Sequence, residues 1–169
     1  MKAQWERLFK GYIVGIGFAF VVHPELRFSP SKRLAEQMLA EACLLAEAIG
    51  LKIGHAEIIS LSKVRAGLFF GKGVTTRLSK ATSDCDDPVV IVNTALSPVQ
   101  QRNLEIAIGT KVIDRTQLIL EIFGARAQTH AGRLQVELAA LNFQRSRLVR
   151  SWTHLERQRG GGGFLGGPG

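Results

Sequence analysis

Apolar residues along the first two thirds of this chain fall into two alternating kinds of run. Nearly unbroken apolar stretches occupy 11–22 (Gly-Tyr-Ile-Val-Gly-Ile-Gly-Phe-Ala-Phe-Val-Val) and 88–93 (Pro-Val-Val-Ile-Val-Asn), and Lys111-Val-Ile-Asp114 reads as a last short strand. Such runs, rich in β-branched residues, predict strands covered on both faces. The stretch 51–61 alternates loosely and predicts a further strand. Between them the apolar positions recur every three or four residues. Leu34, Met38, Leu39, Ala42, Leu45, Ala46 and Ile49 predict a helix that opens at Ser29-Pro30-Ser31 and stops at Gly50. A short helix is expected over 74–81. Another follows Ser97 as N-cap and Pro98 at its first position, closed by Gly109. Strands separated by helices of this length predict right-handed βαβ crossovers and a small three-layer α/β domain over 1–113 with a parallel sheet.

From Arg115 to about Arg150 no proline interrupts a helical pattern, although Gly124 and Gly132 lie inside it. One helix of that length would extend roughly 54 Å, against a radius of gyration near 15 Å for a compact chain of this size, so it must break or protrude. Leu134, Leu138, Leu141, Arg145 and Leu148 follow a four-three-four-three spacing, the heptad seam of a helix packed lengthwise on another. The expected architecture is therefore an α/β domain with a long, coiled-coil-like helical arm over 114–155 and a glycine-rich loop over 156–169. Seven of the last ten residues are glycine, with Phe164 and Leu165 among them. That composition suits a backbone meant for close approach better than a plain linker. A leucine seam without its partner helix also raises the alternative of a partly folded piece that self-associates.

Charge sharpens this picture. The 169 residues hold 22 Lys+Arg against 14 Asp+Glu, a formal charge of +8. Residues 114–169 contain eight cations, all Arg, and Arg145, Arg147, Arg150, Arg157 and Arg159 are opposed only by Glu156. Guanidinium forks suit phosphate and stacked bases, so an Arg-only region points toward nucleic acid. Two cysteines, Cys43 and Cys85, are too few for a disulfide framework, which suits a reducing compartment and a cytoplasmic protein. The run 11–22 follows Lys2, Arg7 and Lys10 as a secretory core would, but no small-x-small cleavage pattern follows it, and it is too short to span a bilayer.

Catalytic chemistry is sparse. His23, His55, His130 and His154 are scattered, and no metal site is expected. Asp84, Asp86 and Asp87 read as a solvated loop, and nothing singles out a nucleophile. Gly71-Lys72-Gly73 opens a predicted helix, where amides and an ammonium group can hold a phosphate. A simple turn explains the same three residues. A stand-alone nucleotide-binding α/β domain acting through Gly71, Lys72 and Gly73 is the alternative function.

Several stretches resemble the amino-terminal part of the HflX family of ribosome-associated GTPases: Leu96-Ser-Pro-Val-Gln-Gln-Arg-Asn-Leu104, Val112-Ile-Asp-Arg-Thr-Gln-Leu-Ile-Leu-Glu-Ile-Phe123 and above all Gln128-Thr-His-Ala-Gly-Arg-Leu-Gln-Val-Glu-Leu-Ala139. Trp152-Thr-His-Leu-Glu-Arg-Gln158 with the glycine run resembles that family's loop between the two helices of its arm, and Phe70-Gly71-Lys72-Gly73 resembles its glycine-lysine motif. The resemblance implies an α/β domain with an antiparallel helical hairpin, followed by a GTPase domain that binds GTP and Mg2+. It also implies binding to the large ribosomal subunit and splitting or rescue of stalled ribosomes under stress, with no DNA partner. Carried onto this chain, Arg145, Arg147, Arg150, Arg157, Arg159, Gly160, Gly161, Gly162, Gly163, Gly166, Gly167 and Gly169 would lie nearest ribosomal RNA. A GTPase needs the phosphate loop G-x-x-x-x-G-K-[ST]. Gly71-Lys72-Gly73 is followed by Val74 and lacks that spacing. GTP hydrolysis is therefore expected of the parent family and not of this chain, in which the GTPase domain is expected to be absent and Gly169 to mark a truncation.

Overall fold

The structure, a computed structural model, describes residues 17–26 and 32–159, with side chains from Arg33 to Arg147 in the second stretch. Four strands, β1 (Phe18–Leu26), β2 (Lys52–Leu61), β3 (Pro88–Val92) and β4 (Lys111–Asp114), form one parallel sheet in the order β2-β1-β3-β4. Five helices accompany them: α1 (Lys32–Glu47), α2 (Lys72–Thr82), α3 (Pro98–Ile108), α4 (Arg115–Arg126) and α5 (His130–Arg159).

Strands β1, β3 and β4 are buried on both faces because each face is covered, whereas the edge strand β2, with Lys52, His55, Glu57 and Ser60, buries only Ile59 and Leu61. Phe20, Val22, Val90, Val92 and Val112 pack with Phe70, Leu78 and Leu104 on one side. Ala19, Val21, Val89, Ile91 and Ile113 pack with Ala42, Ala46, Leu118 and Ile122 on the other. The chain thus lays α2 and α3 on one face, α1 and α4 on the opposite face. It reverses its winding between β1 and β3, which places the carboxyl ends of these two strands at a topological switch point.

Local chemistry sets the ends of the elements. Ser97 caps α3 in a reciprocal box: its hydroxyl accepts from the Gln100 amide at 3.2 Å, and the Gln100 side chain accepts from the Ser97 amide at 3.0 Å. Gly109 ends that helix at φ 85°, a left-handed turn that glycine adopts without strain.

Two expectations shift. The first strand begins at Phe18 and runs on to Leu26, with positions 11–16 outside the described residues. The helical pattern from Arg115 breaks at Ala127–Thr129, giving α4 and α5. The break is a capping site to which Gly132, and not Gly124, contributes. Gly124 stays inside α4, and the Thr129 hydroxyl accepts from the Gly132 amide at 3.0 Å. A Cβ on Gly132 would approach that hydroxyl to 2.9 Å, so Gly132 is what admits the cap. The helix that follows is the arm. At 1.5 Å per residue its 30 residues span about 45 Å.

Candidate functional site at the carboxyl edge of the sheet and the root of the arm

Helix α4 starts at the carboxyl end of β4 and returns toward the opposite edge of the sheet, and α5 then climbs back beside it. The two meet the sheet edge at Asp114. This carboxylate is 1% exposed and fully engaged. Oδ1 accepts from the Gln117 amide at 2.8 Å and so caps α4. Oδ2 accepts from the Leu96 amide at 3.2 Å and from Arg147 Nη2 at 2.8 Å. Arg147 also donates to Gln101 Oε1 and to the Leu96 carbonyl, and its guanidinium stacks 4.5 Å from the centre of the Phe143 ring. One ion pair therefore fastens the arm to α3, α4 and the β3–α3 loop.

Arg147 is accordingly an anchor of the arm and leaves the set of cations expected to face RNA. Its side chain keeps only 18% of its surface exposed. Arg145, two residues earlier, is exposed. Arg150, Arg157 and Arg159 lie on the helical backbone of α5, with their side chains outside the described residues. Gly160, Gly161, Gly162, Gly163, Gly166, Gly167 and Gly169 are outside them altogether. The leucine seam is open: Leu134, Leu138 and Leu141 are 53%, 61% and 43% exposed, while Ala140 alone on that stretch is fully buried.

Gly71 is the N-cap residue of α2, and Lys72 and Gly73 are exposed in its first turn. The amides of Val74 and Thr75 both point back to the Gly71 carbonyl, at 3.1 and 3.3 Å. The three residues form an ordinary helix start with one solvated ammonium, and the Arg65 guanidinium comes within 3.8 Å of where a Gly71 Cβ would stand.

A second polar group at the same edge was not legible from spacing. Asn93, which follows β3, and His23 in β1 are 3% and 7% exposed. Asn93 Nδ2 donates to the Met38 carbonyl at 2.9 Å and lies 3.1 Å from His23 Nδ1, while Asn93 Oδ1 accepts from Arg115 at 2.7 Å. Arg115 is paired in turn with Glu41 at 2.8 Å. This chain of contacts ties α1 and α4 across β1 and β3. A polar residue closing each apolar strand run is the sequence signal that marks such positions, and Asn93 and Asp114 both carry it.

Burial is the main cause that pushes the His23 imidazole below its ordinary value of 6.5. Arg115 acts in the same direction, against opposing effects of Glu25 and Asn93. The folded chain thus holds His23 neutral where the unfolded chain takes up a proton. His23 contributes its full stability above pH 6.5 and loses it as pH falls through that value toward the lowered folded one. Urea midpoints should decrease from pH 7 to pH 5, and a His23→Gln chain should show a shallower decrease. Equal slopes would contradict the assignment.

Among the described residues no group of three or more His, Cys, Asp or Glu side chains is placed to hold a metal ion. No helix among them is long and apolar enough to cross a membrane.

Comparison with known proteins agrees with this geometry. A family described as "GTP-binding GTPase N-terminal" matches residues 36–124, and "GTP-binding GTPase Middle Region" matches 126–169. The division falls in the last turn of α4, just before the break that leads into α5. A protein of Magnetococcus marinus named GTPase HflX is 51% identical over 134 residues, covering 79% of this chain and 31% of its own length. The Escherichia coli protein of the same name is 54% identical over 101 residues, covering 60% of this chain and 24% of its own. The chain thus spans about a third or less of these curated relatives. Among solved structures, a GTP-binding protein from the archaeon Sulfolobus solfataricus in complex with GDP superimposes with a TM-score of 0.59 at 21% identity, over 85% of this chain and 42% of that one. That likeness is one of fold.

Proposed function

The chain belongs to the HflX family of GTPases, whose amino-terminal region it represents, and from that premise we propose that it is a module that binds the large ribosomal subunit through its arm. In this reading Arg145, Arg150, Arg157 and Arg159, followed by the glycine run 160–169, approach ribosomal RNA. In the full-length protein this contact serves the splitting or rescue of stalled ribosomes under stress, in the cytoplasm. The observation that carries the reading is the reach of α5. The helix is fastened to the domain at Arg147 and then continues for twelve residues, roughly 18 Å, past the carboxyl edge of the sheet. The open seam at Leu134, Leu138 and Leu141 accepts the second helix of a hairpin.

Membership of a GTPase family implies GTP and Mg2+ for the full-length protein. The residues present here do not fit that pair. Lys72 stands at a helix start whose Val74 and Thr75 amides turn back on Gly71, and Gly73 occupies the place directly after the lysine where a magnesium-binding hydroxyl would be needed. No hydrolytic step is assigned to this chain.

Phosphate contacts make such binding depend on salt. Four arginines that each neutralise one phosphate lower affinity roughly a hundredfold between about 50 and about 200 mM salt. Affinity for purified large subunits, measured across that range, should fall this steeply. A flat dependence would remove the electrostatic reading.

A further inference from the structure

The hydrogen-bond network around His23 fixes more than its charge. Arg115 only donates and the Met38 carbonyl only accepts, so both ends of the Asn93 amide are assigned without ambiguity. The Asn93 Nδ2 group that faces His23 must then be the donor, and His23 Nδ1 the acceptor. A neutral imidazole that accepts at Nδ1 carries its proton on Nε2. That Nε2–H has no partner among the described residues.

His23 lines a cleft of about 480 Å³ at the carboxyl ends of β1 and β2, together with Pro24, Glu25, Leu34 and Met38. A volume of that size is typical of small-ligand sites, and so is a position beside the switch point of an open parallel sheet. Glu25, two residues along the same strand and on the same face, acts on His23 through space and makes no hydrogen bond to any described residue. The cleft therefore holds one fixed donor and one carboxylate acceptor, two residues apart on the same face of β1. Around them lies apolar surface, with Leu26 and Leu34 each 50% exposed at the rim. A ligand that satisfies both needs a carbonyl oxygen next to an N–H on a flat, largely apolar body.

We propose that this cleft binds the imide edge of a guanine or uracil base, with His23 Nε2–H donating to the base carbonyl and the Glu25 carboxylate accepting from the adjacent ring N–H. Adenine and cytosine lack that pairing of carbonyl and ring N–H, so the site discriminates by hydrogen-bond polarity. Leu34, Met38 and Pro24 supply the apolar contact along the faces of the ring. Burial, which holds the imidazole neutral at pH 7, keeps Nε2 a donor and Nδ1 an acceptor. The site is separate from the arm, and its base is either that of a free nucleoside or one splayed from a single RNA strand.

Long-range proton–nitrogen correlation spectra of the His23 ring in the whole chain test the proposal. Without ligand at pH 7.5, Nε2 should be protonated and Nδ1 bare. Guanosine or uridine should shift the Nε2 signal saturably, adenosine and cytidine should not, and Glu25→Ala should weaken binding at least tenfold while leaving the fold intact. His23→Phe should abolish binding. A response to free nucleosides identifies a small-molecule ligand. A response only to single-stranded hexanucleotides containing guanine or uracil identifies an RNA strand. A proton on Nδ1, an equal response to adenosine, a Glu25→Ala chain that binds as well as the original, or no Nε2 shift with any of these probes overturns the assignment.

Discussion

Replacing Asp114 with Ala should cost about 3 to 5 kcal/mol of folding stability, more than any other single change at the carboxyl edge. Three bonds are lost together. The α4 cap is worth roughly 1 to 2 kcal/mol by itself, and the Leu96 amide loses its acceptor. The larger effect is that Arg147, mostly buried against Gln101 and Phe143, keeps its charge without a counter-charge. Removing both charges in an Asp114→Asn, Arg147→Met chain should recover much of the loss, because asparagine still caps α4 and methionine fills the space. Urea unfolding of the two single variants and the double variant gives the coupling directly. A single-variant loss below about 1 kcal/mol would mean that the pair is merely a surface contact. The arm should report the same event locally. Amide exchange in α5 around Ala140 to Arg147 should quicken in Asp114→Ala well before the strands open.

Phe70→Ala is the second change with a large expected effect, about 3 to 5 kcal/mol. Phe70 is fully buried among Leu78, Val92 and Leu104 and meets Phe69 edge to face, with ring centroids 5.0 Å apart. The site is poorly able to collapse, because Phe69 sits at φ 61° and pairs with Arg65 in a short bridge that fixes the loop. A loss of this size consumes much of the 5 to 15 kcal/mol typical of a domain. Thermal unfolding should therefore move down by roughly 6 to 20 degrees. Phe70→Leu, which keeps most of the volume, should lose less than half as much.

The parts of the fold that were legible in the sequence are those decided by local pattern. Pro88–Val92 reads as a strand because five apolar residues in a row need cover on both faces, and the sheet provides it. Ser97, Pro98 and Gly109 announce both ends of α3 because a cap, a first-turn proline and a left-handed glycine each act within a few residues. The break between α4 and α5 was less visible. Gly124 and Gly132 drew attention, yet the interruption is made by Thr129 binding back to the amide of Gly132. At the candidate site, identity of residues was readable and partnership was not. Arg147 belongs to the same run of arginines as Arg145, and only the position of Asp114, 33 residues away in sequence, turns one inward while the other stays exposed. His23, Asn93 and Arg115 are spread over more than ninety residues and meet only because β1 and β3 are neighbours in the sheet. Motif spacing carries no information of that kind.

The most direct test of the arm reading is co-sedimentation of the chain with purified large ribosomal subunits at low salt, beside a chain ending at Ser151 and one carrying Arg145→Glu. The account predicts that the whole chain pellets with subunits, that the shortened chain stays in the supernatant and that the charge reversal falls between them. Equal pelleting of all three would contradict it and place the contact on the α/β domain instead of the arm.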